Sequence, residues 1–193
     1  MRNYTKIATK YARDIVSGKI PAGKYIQLAC QRHLDDLDWQ DDDEFKYRFD
    51  AKAANKACAF IELMPRTKGK WAAKKETINL EPWQVFFVCM IFGWLRRKDN
   101  TRRFRRAFLL VPRKNGKSAL AAAIGLYMLV ADGEHGAEIY SGATTEKQAW
   151  EVFRPARLMA LKRPDMFIPY KLLSSPSNLH VLGNESRFEP LIG

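Results

Sequence analysis

The chain has 193 residues, 47% hydrophobic and 12% aromatic, which suits a folded domain with one good-sized core and excludes a disordered polymer. A formal net charge of +12 and a pI near 9.7 favour an anionic partner, nucleic acid first and a nucleotide second. The longest apolar run, Val85 to Leu95, is too short to span a bilayer, so no membrane role is expected, and the amphipathic N-terminus does not read as a secretory signal.

In chain order, Tyr4 to Ser17 carries apolar residues at helical spacing (Ile7, Tyr11, Ile15) and stops at Ser17-Gly18. Lys24 to Leu37 reads as a second helix. Asp35 to Glu44 is dense in acid and is expected to be a solvated loop rather than a chelating site. Phe45 to Leu63 reads as a third helix closed by Pro65, followed by the basic turn Thr67-Lys68-Gly69-Lys70 and a short β-prone segment, Thr77 to Leu80. Pro82 then opens an apolar helix through Trp94, at a position where its missing N–H costs nothing.

Cys30, Cys58 and Cys89 lie far apart, which argues for reduced thiols of a cytosolic protein and against a disulfide framework or zinc ribbon. Cys30 and His33 share a helix face, but no second ligand pair is near, so no metal site is expected there. The basic run Arg96 to Arg106 reads equally as a solvated linker or as a contact to DNA phosphates.

Ala107-Phe108-Leu109-Leu110-Val111 is continuously apolar, as a buried parallel strand should be. Pro112-Arg113-Lys114-Asn115-Gly116-Lys117-Ser118 follows, and a helix former runs from Ser118 to Val130 with Gly125 its weak position. Strand, Gly-Lys-Ser turn and helix form the context of a phosphate-binding loop. Its backbone N–H groups and the positive helix end would cradle phosphate oxygens, Lys117 would reach the β- and γ-phosphates, and the Ser118 hydroxyl would ligate Mg²⁺. The competing reading is a basic surface turn.

Downstream, Glu138 to Ser141 reads as a strand, and Thr145 with Gln148 as the capping box of a helix that ends near Arg163-Pro164. Leu179 to Leu182 and Arg187 to Ile192 read as two more short strands. The βαβα alternation implies a parallel sheet with crossover helices.

Several of these segments together resemble the ATPase region of large terminase subunits of tailed bacteriophages and prophages. They are Tyr11 to Ile20, Asn79-Leu80-Glu81-Pro82-Trp83-Gln84, Phe92-Gly93-Trp94 with Arg102-Arg103-Phe104-Arg105, the loop Val111 to Ser118, and Tyr140 to Ala149. The loop is similar to that family's deviant Walker A, which commonly lacks the first Gly, here Val111. The resemblance implies an α/β P-loop NTPase core of the additional-strand type over residues 79–193, behind an N-terminal helical region, 1–78. It implies ATP and Mg²⁺ as cofactors, with Arg113, Lys114, Asn115, Gly116, Lys117, Ser118 and Ala119 in the nucleotide loop. Arg113 and Lys117 would be catalytic, with Arg113 touching the γ-phosphate. Trp83 and Gln84 match the adenine-side element, although Trp83 reads equally well as a core anchor.

Double-stranded DNA, a portal and a small terminase subunit are the implied partners, in the cytoplasm of a bacterial host and with a ring oligomer in the full motor. No apolar run ending in Asp-Glu, the Walker B signature, follows Ser118, and no clustered nuclease carboxylates occur. The expectation is an ATP-binding segment whose parent activity is ATP-driven DNA translocation, without nuclease activity. The alternative is a truncated, catalytically incomplete DNA- or protein-binding remnant of the same fold. Arg154, Arg157 and Arg187 are candidate arginine fingers that the sequence does not separate; Arg154 and Arg157 at i,i+3 also read as a solvated helix face.

Overall fold

The computed structural model describes residues 2–193. In chain order it forms α1 (Tyr4–Val16), α2 (Lys24–Trp39), β1 (Tyr47–Phe49), α3 (Ala51–Glu62), α4 (Gly69–Ala73), α5 (Pro82–Gly93) and β2 (Trp94–Arg96). Then come α6 (Lys117–Val130), β3 (Glu138–Ala143), α7 (Glu146–Lys162), α8 (Pro164–Phe167), a 3₁₀ turn, β4 (Leu172–Ser174), β5 (Leu179–Val181) and β6 (Ser186–Ile192). These sort into two compact units. One comprises residues through Ala59 together with Asn79–Leu109; the other comprises Phe60–Ile78 and Leu110–Gly193. The chain thus crosses between units three times, and residues 79–109 group with the N-terminal helices.

In the first unit α1 packs on α2 and α5. Asn3 caps α1 by accepting from the Lys6 N–H at 3.0 Å, and Ala8, Ala12 and Ile15 form its buried stripe. The single helix expected over Phe45 to Leu63 is instead a short strand and a helix. Asp50 divides them: its Oδ1 accepts from the Ala53 N–H at 2.9 Å, an N-cap that starts a new helix after β1 has paired with β2. That bond, with Arg48 beside it, holds the Asp50 carboxyl below its ordinary range.

The centre of this core is aromatic. His33, 1% exposed, meets Phe49, Phe86 and Trp94 edge-on at ring separations of 5.3–5.9 Å. Trp94 Nε1 only donates, and it donates to His33 Nδ1 at 3.1 Å. The His33 proton therefore sits on Nε2, 3.4 Å from Thr9 Oγ1. Burial, with Arg32 nearby, pushes the His33 pKa down to about 4. Cys30, Cys58 and Cys89 are buried and form no disulfide among the described residues, Cys58 Sγ lies 3.8 Å from Cys89 Sγ, and burial raises the Cys30 thiol to about 11.

In the second unit β3, β6, β5 and β4 make one four-stranded sheet in that order. Only β3 and β6 are parallel, with Glu138 opposite Arg187 and Ala143 opposite Ile192; β5 runs antiparallel to both β6 and β4. The wholly parallel sheet expected from the βαβα alternation is therefore replaced by a mixed one. The four-residue link between Ser174 and Leu179 and the turn at Gly183 are too short for crossovers, so they make hairpins. Helices α6 and α7 pack on each other and on β3 and β6. Phe153 and Phe188 meet edge to face at 5.6 Å in this core. A Cβ on Gly125 would lie 2.7 Å from the Phe188 ring, which explains a glycine inside α6: it lets the helix approach the sheet.

The buried strand expected at Phe108 to Val111 does not form. The segment is unpaired, with Phe108 87% and Leu110 82% exposed. A continuous apolar run suits a strand held between two others, and among the described residues no strand flanks it. Among the described residues no helix is long and apolar enough to cross a membrane.

Candidate nucleotide-binding loop

The Gly-Lys-Ser turn lies at the start of α6 in the second unit. Gly116 is its N-cap residue at φ 74°, in the left-handed region that glycine enters without penalty, and Lys114 also sits there at φ 71°. Asn115 closes the turn from within: its Nδ2 donates to the Pro112 and Arg113 carbonyls at 3.2 and 3.4 Å. Sequence reading gave Asn115 only a place in the loop, not this bracing role; a short amide side chain before a glycine is the signal for it.

No side chain caps α6. Its first N–H groups therefore keep their hydrogen-bonding capacity, and with the helix dipole they make a positive, anion-seeking end. Pro112 through Gly116 are exposed, Lys117, Ser118 and Ala119 half-buried, and Leu120 anchors the helix in the core. The donors suit a phosphate: backbone amides, the Lys117 ammonium and, one turn back, Arg113. For a divalent cation the loop offers one hydroxyl, Ser118. Among the described residues no group of three or more His, Cys, Asp or Glu could hold a metal.

Trp83 and Gln84 belong to the other unit, at the first turn of α5. Trp83 is half-buried and Gln84 buried. Gln84 Oε1 accepts from the Glu81 backbone N–H at 2.9 Å, closing a capping box, so its amide already has a structural task.

The arginine candidates separate. Arg157 Nε donates to the Ser175 carbonyl at 2.8 Å, and Arg187 is engaged by Glu138, the Tyr140 hydroxyl and Glu189. Arg154 is exposed and lies 5.8 Å from the centroid of the Trp150 ring; with Glu146 and Lys147 these two residues line an open depression of about 320 Å³.

The basic run before the loop separates too. Arg97 donates to the Gln40 carbonyl, Arg102 lies over Phe92, and Arg103 pairs with Asp36. Asp36 is 2% exposed, so it is no part of a solvated acidic loop: α2 continues to Trp39 and turns this one carboxylate inward. Arg105 and Arg106 remain exposed.

Residues 82–179, half of the chain, match the family described as "Terminase large subunit, ATPase domain". Among solved structures the chain is similar to the large terminase of bacteriophage HK97, with 26% identity and a TM-score of 0.57 over 72% of this chain. That likeness spans 27% of the HK97 protein, about a quarter of its length. No curated protein matches.

Proposed function

The chain belongs to the terminase large subunit family, within its ATPase domain, and from that premise we propose that residues 112–119 bind the phosphates of ATP. The observation that carries this reading is the left-handed turn at Lys114 and Gly116 delivering an uncapped helix N-terminus beside Lys117. In it, the amides of Gly116 through Ala119 and the Lys114 and Asn115 backbone cradle the phosphates. The Lys117 ammonium neutralises the β- and γ-oxygens. Arg113, at the exposed lip of the turn, offsets charge on the γ-phosphate. Ser118 is the residue of the loop that would hold a Mg²⁺ accompanying the nucleotide, and the ion would offset charge on the phosphates. The adenine role of Trp83 and Gln84 rests on the resemblance of their segment alone.

The same reading makes the second unit a P-loop NTPase core of the additional-strand type. Its parent activity is ATP hydrolysis driving double-stranded DNA into capsids, alongside a portal and a small subunit, in a bacterial cytoplasm.

The test is binding of a fluorescent, non-hydrolysable ATP analogue with Mg²⁺ to the chain and to Lys117→Ala. Binding weakened by tenfold or more in the variant, with an unchanged circular dichroism spectrum, is the expected outcome. Equal affinity in both proteins would remove the loop from the site.

A further inference from the structure

We infer that the basic excursion between Pro65 and Thr77, with the adjoining face of α7, is a contact surface for the phosphate backbone of duplex DNA. The inference rests on the packaging function proposed above and adds to it the surface that meets the DNA.

The excursion is closed at its base. Pro65 and Thr77 form an antiparallel bridge, the Arg66 N–H donates to the Glu76 carbonyl at 2.8 Å, and the Ile78 N–H to the Met64 carbonyl at 2.8 Å. What projects is the sequence Arg66-Thr67-Lys68-Gly69-Lys70-Trp71-Ala72-Ala73-Lys74-Lys75-Glu76, with five cations and one acid, the half-buried Glu76 at its base. Lys68, Lys70, Lys74 and Lys75 are exposed. Trp71 is itself 42% exposed, with the Lys70 ammonium 4.7 Å and the Arg66 guanidinium 5.8 Å from its ring centroid. The indole is a post against which two cations lean, so less side-chain freedom is lost when they meet an anion.

Lys68 joins this excursion to α7 through Glu151 at 3.6 Å. On that helix Lys147, Trp150 and Arg154, at i, i+3 and i+7, share one face and, with Glu146, line the open depression. The cations are thus spread along a surface rather than converging on a point. That distribution suits a polyanion with one charge per about 1.7 Å of duplex axis better than a single nucleotide. Within the basic run Arg96 to Arg106, by contrast, Arg97, Arg102 and Arg103 are occupied by partners in their own unit.

The experiment compares three proteins for binding to a short fluorescein-labelled duplex across a salt series. They are the parent chain, the quadruple variant Lys68→Gln/Lys70→Gln/Lys74→Gln/Lys75→Gln, and the charge-matched control Lys6→Gln/Lys24→Gln/Lys52→Gln/Lys98→Gln, whose lysines are exposed in the other unit. The expected result is a log-affinity against log-salt slope shallower by about 3–4 in the loop variant, with the control near the parent. Equal effects of the two variants would mean that net charge alone attracts DNA, and would overturn the inference. So would a parent chain that binds no duplex. The ATP-analogue measurement is run on the same proteins: retained nucleotide binding with unaltered DNA binding refutes the surface and leaves the loop assignment standing.

Discussion

Arg103 Nη1 donates to Asp36 Oδ2 at 2.6 Å, joining two segments 67 residues apart in a pair whose carboxylate side chain is 3% exposed. The guanidinium also lies 4.1 Å from the Tyr47 ring centroid and 5.1 Å from that of Phe104, so it is held by faces as well as by charge. Removing one partner leaves the other buried and uncompensated. Asp36→Ala is expected to lower unfolding free energy by about 3 kcal/mol, and a double Asp36→Leu/Arg103→Leu variant to lose much less. Urea titrations of the single and double variants give the answer; a single-variant loss under about 0.5 kcal/mol would show the pair to be a surface-like contact.

His33 makes stability depend on pH with a definite sign. The folded state resists protonation down to about pH 4, whereas the unfolded chain takes up the proton near its ordinary value of 6.5. The contribution is therefore complete above about pH 6.5 and falls as pH drops toward 4, because the unfolded state binds the extra proton. Between about pH 7 and pH 5 the expected loss is about 2 kcal/mol. His33→Gln keeps an acceptor for Trp94 and does not titrate. Its denaturation midpoint should change less over the same interval, and an equal slope in both proteins would clear His33 of the effect.

Gly125→Ala sets helix propensity against packing. Alanine favours a helix interior by about 1 kcal/mol over glycine. Here the new methyl would meet the Phe188 ring at 2.7 Å, and that ring is already packed edge to face against Phe153. Overpacking should win, with a net loss of about 1–3 kcal/mol. Thermal denaturation should show Gly125→Ala less stable than the parent, and the penalty reduced in a Phe188→Leu background. A stabilised Gly125→Ala protein would contradict the close approach of α6 to β6.

The helices were legible because their signals are local. Ser17-Gly18 after an amphipathic stripe, Pro82 at a first turn and Thr145 three residues before Gln148 each mark an end within one turn of chain. The Gly-Lys-Ser turn was legible for the same reason, since Gly116 must supply a left-handed φ. What escaped depends on distant partners. Phe108 to Val111 looks like a core strand by composition, yet a strand exists only where another edge meets it. Asp36 looks like one acid among many, and only Arg103 distinguishes it.

Strand β3 has β6 on one side and, among the described residues, no strand on the other. Its outer N–H and C=O groups are therefore a template for a further strand, including one from another molecule of the same chain. A net charge of +12 opposes such encounters by mutual repulsion. Added electrolyte weakens the repulsion without touching the template. Colloidal behaviour is thus governed by two handles at once: the chain is best kept dilute whenever the buffer is saline, and concentrated only when ionic strength is low.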